Sequence, residues 1–234
     1  MDEPLGALIF DFDGLIIDTE SPEFETWQEI FREYGAELKF EEWVTCLGTS
    51  AAAFDAAEIL YQRTGIRFDN ETLWEEQKKR SILKANQQQP LPGVLDLIQS
   101  ACNAAIPLAV ASSSPRGWVC GHLERLGLLH YFKFVVTRED VSMVKPAPDL
   151  YLKALQLLGV EANRAIAFED SPNGILAARQ AGLFVVAVPN PISKRLDLSA
   201  ANLILNSLAE IKLNDFRNEI FIPNFVKTNN SFKM

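Results

Sequence analysis

The chain has 234 residues, of which 48% are hydrophobic and 23% charged. This is ordinary globular composition, and it excludes disorder as the main state. With 22 Lys and Arg against 31 Asp and Glu, the net charge is −9, so a nucleic-acid backbone or an anionic membrane surface is a poor main partner.

The N-terminus MDEPLGALIF is acidic and its apolar run is short, which does not make a signal peptide. No stretch approaches the roughly 20 apolar residues of a membrane span. Cys46, Cys102 and Cys120 are odd in number and widely spaced, matching neither a zinc site nor a disulfide framework. Free thiols in a reducing compartment, and so a cytoplasmic protein, are expected. A monomer is the default.

In chain order, Ala7 to Phe10 (ALIF) is the first continuous apolar run, of the kind that forms a strand buried on both faces of a parallel sheet. Residues 18–90 then hold no good strand run. Ser21 and Pro22 read as N-cap and first helical residue. They precede a stripe of Phe24, Trp27, Ile30, Phe31 and Tyr34 that Gly35 stops. Glu41 to Leu47 predicts a short helix, Ser50 to Thr64 a helix stopped by Gly65, and Asn70 to Ala85 another. Gln87 to Pro90 reads as a linker. Trp27, Trp43 and Trp74 lie at helical spacing, which favours core packing over substrate stacking.

From Gly93 the texture alternates. Helical patterns over Gly93–Ala105, Pro115–Leu126, Asp149–Leu158 and Pro172–Ala181 separate apolar runs at Pro107–Ala111, Phe134–Thr137, Ala165–Phe168 and Leu183–Val188. Glycines 127, 159 and 182 stand where helices should stop. The expected fold is α/β: a Rossmann-like doubly wound parallel sheet core (1–17 and 91–234) with an inserted α-helical cap domain (18–90). Residues 18–90 hold 8 basic and 15 acidic side chains, so most of the negative charge belongs to the insertion. Phe216, Ile220, Phe221, Ile222 and Phe225 could pack back on the body, with Asn229 to Met234 frayed.

Four strand ends carry polar motifs. The first strand runs into Asp11-Phe12-Asp13-Gly14. Period-two alternation puts both aspartates on one side, where a proton or a hard cation must relieve their repulsion. Next come Ala111-Ser112-Ser113-Ser114-Pro115, whose hydroxyls and N–H groups at a helix start suit a phosphate, and Lys145-Pro146-Ala147-Pro148-Asp149, which offers a point charge. Glu169-Asp170-Ser171-Pro172-Asn173-Gly174 is a second acidic pair before a helix. Singly these also suit a plain turn, an N-cap, a surface lysine and solvated loop acids. In an open parallel sheet, ligands bind at the carboxyl ends of the strands, so all four motifs share one rim.

DFDGLIIDTE, AVASSS, KPAPDLY and FEDSPNG resemble, in order, the four motifs of the haloacid dehalogenase-like hydrolase superfamily. The resemblance runs to about Leu208 and is closest to the branch with a helical cap after the first motif, which holds β-phosphoglucomutase-like proteins. It implies a Mg²⁺-dependent phosphatase acting on a small phosphorylated metabolite, a sugar phosphate by family expectation. Asp11 is implied as the nucleophile that becomes an aspartyl phosphate and Asp13 as general acid and base. Ser112, the Ser113 backbone and Lys145 are implied as phosphate ligands. Asp11, the Asp13 main-chain carbonyl, Glu169 and Asp170 are implied as metal ligands.

Two departures bear on the branch. Mutases carry a histidine twelve residues after the nucleophile, where Glu23 stands, and an arginine three residues after a cap-loop glycine. Counting from Gly48, that position is Ala51. A phosphatase is therefore expected over a mutase. Dehalogenases and phosphonate hydrolases lack the second aspartate, and Asp13 is present. Lys39, Lys78, Lys79 and Lys84 read as solvated helix charges, Arg116 as a surface residue or a substrate contact, and His122 and His130 as packing or surface residues away from the motifs. A non-catalytic scaffold is the remaining alternative, against which the intact acid and lysine set speaks.

Overall fold

A computed structural model of the chain describes residues 5–44 and 54–218. Each apolar run forms a strand, because a sheet covered on both faces gives every side chain an apolar neighbour. The strands are β1 (Ala7–Phe10), β2 (Leu108–Ala111), β3 (Phe134–Val136), β4 (Ala165–Glu169), β5 (Phe184–Ala187) and β6 (Leu203–Ile204). They are parallel, in the order β3-β2-β1-β4-β5-β6. The sheet is thus doubly wound about β1, as expected. β6 is the strand that the pattern does not predict: it has two residues, and Ile204 is exposed.

Alternation along the strands sorts side chains by size. Leu8, Phe10, Leu108, Val110, Ile166 and Phe168 face a cluster with α5 (Val94–Asn103), α6 (Arg116–Arg125) and Phe216 of α9 (Leu213–Asn218). The other face carries Ala7, Ala109, Ala111, Ala165 and Ala167 with Ile9, packed with α7 (Asp149–Leu158) and α8 (Pro172–Gln180). Phe216 is fully buried, with its ring edge-on to Phe168. Ile220, Phe221, Ile222 and Phe225 lie outside the described residues.

The chain forms two compact units, one of Met1–Ile17 with Gln89–Met234 and a second of Asp18–Gln88. The second unit comprises α1 (Glu20–Glu33), α2 (Phe40–Trp43), α3 (Ala56–Thr64) and α4 (Asn70–Ala85). Trp27 lies edge-on to Phe54 and Trp74, and Phe24 lies 4.8 Å from Trp43, so these aromatics pack against each other. Helix α1 starts earlier than predicted. Thr19 is the N-cap residue, Ser21 is already helical, and the Ser21 N–H donates to Asp18 Oδ1. The cap of α3 is Asp55, which accepts from Glu58 N. Gly48, Ala51 and Cys46 lie outside the described residues. Lys39, Lys78 and Lys79 are exposed, and Lys84 donates to Glu29 at 2.8 Å. Among the described residues, no helix is long and apolar enough to cross a membrane.

Candidate active site

The strand order sets β1 between β2 and β4, so the chain leaving β1 meets the ends of both neighbours. Asp11 N donates to Phe168 O at 2.9 Å and continues the ladder one residue past β1. The turn that follows needs Gly14: its φ is +80°, and a β-carbon there would collide with the Asp170 carboxylate and the Asn190 amide.

Asp11, Glu169 and Asp170 are all buried, and each offers an oxygen within 4.8 Å of the others. The Lys145 ammonium, on a side chain 7% exposed, pairs with Asp11 Oδ1 and lies 2.6 Å from Glu169 Oε1. The Tyr151 hydroxyl donates to the same Glu169 oxygen at 2.6 Å. Glu169 Oε2 accepts from the N–H groups of Asp170 and Ser171 and from Ser171 Oγ, at 3.2, 3.4 and 3.2 Å. Helix α8 can lie this close because residue 174 is glycine, where a β-carbon would overlap the carboxylate.

The Lys145 ammonium therefore pairs with two of the three buried carboxylates. Burial pushes the Asp11 carboxyl up to about 8; Lys145 pulls it down, and the charges of Glu169 and Asp13 add to the rise. Burial alone would lower the Lys145 ammonium, but Asp11 and Glu169 outweigh it and hold it above its ordinary value. A site of three inward carboxylates and one lysine lacks positive charge, and a hard divalent cation with oxygen ligands fits that donor set.

The Asp13 carboxylate is directed differently. Oδ1 accepts from the Trp118 indole N–H at 2.8 Å, and Oδ2 from Ser114 Oγ at 2.6 Å and Ser112 Oγ at 3.4 Å. Ser113 Oγ is buried with no hydrogen-bond partner among the described residues. Thus Asp11, Lys145, Glu169 and Asp170 come together, with Asp13, Ser112 and Ser114 forming an adjoining group.

Further participants are not among the site residues that the motifs imply. Tyr151 ends KPAPDLY, but its link to Glu169 exists only in three dimensions. Trp118 is the third residue of α6 and looks like one of that helix's packing residues. Asn190 follows β5 and is 3% exposed. Its amide donates to Asp170 Oδ2 at 2.8 Å and to Gly14 O at 3.3 Å. His122 lies nearer the site than its spacing suggests, with its ring 4.3 Å from that of Trp118 and 6.0 Å from Phe12. Arg116 is occupied structurally, donating to Val135 O and pairing with Asp140.

Residues 8–188 match the family model of haloacid dehalogenase-like hydrolases. YhcW of Bacillus subtilis is 41% identical over 207 residues, 88% of this chain and 94% of its own. The fructose-1-phosphate phosphatase YqaB of Escherichia coli is 34% identical over 190 residues, 80% of this chain and 98% of its own. Among solved structures, a HAD family hydrolase of Deinococcus radiodurans R1 with bound phosphate and sodium superposes with a TM-score of 0.74 at 25% identity, covering 89% of this chain and 94% of that one.

Proposed function

Because this chain belongs to the haloacid dehalogenase-like hydrolase family, in its β-phosphoglucomutase-like branch, we propose that it is a Mg²⁺-dependent phosphatase whose Asp11 is transiently phosphorylated and whose substrate is a sugar phosphate or similar small phosphomonoester. It is a phosphoric monoester hydrolase. The observation that carries the reading is the buried Lys145 ammonium on Asp11, beside a second aspartate with donors of its own. The substrate class is supported by the relative named for fructose 1-phosphate.

Asp11 attacks phosphorus, forming an Asp11–phosphorus bond as the bond to the substrate oxygen breaks. The departing oxygen takes its proton from Asp13. Asp13 then removes a proton from water, which attacks phosphorus, breaks the Asp11–phosphorus bond and releases inorganic phosphate. A covalent intermediate divides one difficult displacement into two. Lys145, Ser112 and Ser113 hold the phosphate, and Lys145 also offsets the repulsion between an anionic nucleophile and an anionic phosphate. Mg²⁺, held by Asp11, Glu169, Asp170 and the Asp13 main-chain carbonyl, would supply further positive charge to the nucleophile and phosphate oxygens. The free thiols Cys102 and Cys120 suit a reducing compartment, and we place the protein in the cytoplasm as a monomer.

The test is a panel of phosphorylated metabolites assayed with and without Mg²⁺, with Asp11→Asn as control. Metal-dependent release of phosphate from at least one phosphomonoester, abolished in the variant, is expected; normal rates in Asp11→Asn overturn the mechanism. Glu23 lies in the first turn of α1 where a mutase carries histidine, so β-glucose 1-phosphate should yield phosphate and no glucose 6-phosphate. Efficient isomerisation would establish the mutase instead.

A further inference from the structure

The two oxygens of Asp13 are held by chemically different donors. The indole N–H of Trp118 is a donor only, whereas the hydroxyls of Ser114 and Ser112 can give or accept. An oxygen bonded to an indole N–H must present a lone pair, so it cannot also be the oxygen that carries the carboxylic proton toward that donor. The carbonyl oxygen of a carboxylic acid is a better acceptor than its hydroxyl oxygen, so the indole N–H favours Oδ1 as the oxygen without the proton. Oδ2 faces hydroxyls that tolerate a proton's presence or absence by turning. The indole itself is fixed. Its backbone N–H donates to Pro115 O at 3.0 Å at the start of α6, and its ring meets His122, one turn along, at 4.3 Å and 72°. His122 is 4% exposed and cannot readily yield.

We propose that Trp118 is a positioning residue for Asp13: its indole N–H favours Oδ1 as the acceptor and so reserves Oδ2 for the proton given to the leaving group. This rests on the phosphatase reading above. In that step the bond between phosphorus and the leaving oxygen breaks, its electron pair stays on that oxygen, and the Oδ2 proton neutralises it as the Asp11–phosphorus bond forms. An acid in the wrong rotamer or with its proton on the wrong oxygen forfeits part of the rate that general acid catalysis supplies.

The discriminating readout is dependence on the leaving group. kcat/KM reports steps through departure of the leaving group. p-Nitrophenolate leaves without a proton, whereas a sugar alkoxide does not. Trp118→Phe should lower kcat/KM for the best sugar phosphate of the panel roughly tenfold, a part of the ~10²–10⁴ that a positioned acid contributes. For p-nitrophenyl phosphate the change should stay within about twofold. Ser114→Ala, which disturbs Oδ2, should show the same bias. Benzothienylalanine at position 118 replaces the N–H by sulfur at nearly constant shape, and it carries the test where phenylalanine fails to fold. Equal losses on both esters, or no loss on the sugar phosphate, overturn the inference while leaving the phosphatase reading intact. A wild-type chain that hydrolyses neither ester with Mg²⁺ overturns both.

Discussion

Gly174→Ala sets helix propensity against a buried carboxylate. Gly174 lies in the first turn of α8, and in an ordinary helix alanine would add up to about 1 kcal/mol of stability. Here the new methyl group would overlap the Glu169 carboxylate. That carboxylate has no exposed surface and no free direction: Tyr151 and Lys145 hold Oε1, while Asp170 N, Ser171 N and Ser171 Oγ hold Oε2. Displacing it loosens charge-assisted bonds that contribute about 1.5–3 kcal/mol each when buried. The three bonds on Oε2 are long, so the loss is taken as two full bonds, about 3–6 kcal/mol. Less the helix gain, the net destabilisation is about 2–5 kcal/mol, or a Tm lower by about 4–20 °C for a chain of this size. Urea unfolding followed by circular dichroism measures it through the midpoint at constant m-value. A Gly174→Ala protein with an unchanged or raised midpoint would refute the reasoning, because the close fit of α8 over Glu169 would then cost nothing.

Two further perturbations probe the same acids. In the metal-free protein Asp11 has its pKa raised to about 8, against about 3.9 in an unfolded chain, so the folded state binds the extra proton between those values. Stability should therefore fall as pH rises through that window, whereas Asp11→Asn should lack this part of the slope; parallel profiles of metal-free Tm against pH for the two proteins contradict the assignment. Asn190→Ala removes the amide that orients Asp170 and should weaken Mg²⁺ binding about 10–100-fold, as loss of a ligand's hydrogen-bond partner commonly does. Calorimetric titration with Mg²⁺ measures this, and an unchanged Kd excludes an orienting role.

Strands β1 to β5 were legible because burial on both faces leaves an unbroken apolar run, while their order in the sheet comes from the structure. The helix from Asn70 to Ala85 was legible from the spacing of Leu73, Trp74 and Ile82, although Gln77 and Ser81 share its buried face with Leu73 and Ala85. Ser21 misled because serine followed by proline is a strong capping signal, yet Asp18 supplies the side-chain oxygen and the helix begins before it. β6 left no trace, since two half-covered residues make no pattern. The motif residues at the strand ends were legible one by one. Their pairing was not: nothing in local spacing connects Tyr151 to Glu169, Asn190 to Asp170 or Trp118 to Asp13, because each link crosses between elements that only the sheet brings together.

The central place of β1 also governs how the chain must assemble during synthesis. β1 is made first, yet its two neighbours are β2 and β4, and the second of these is completed at Glu169. At ~5–20 residues per second, roughly 10–30 s separate the appearance of Phe10 from that of Glu169. Throughout that interval β1 is at best an edge, the kind of strand most prone to pair wrongly. Helices α1 to α4 emerge in the meantime with their packing partners already made, and they can fold first. The strand end that carries Asp11 is thus completed last in structure although made first, and substitutions that slow closure of β4 on β1 should lower the yield of folded protein more than its final stability.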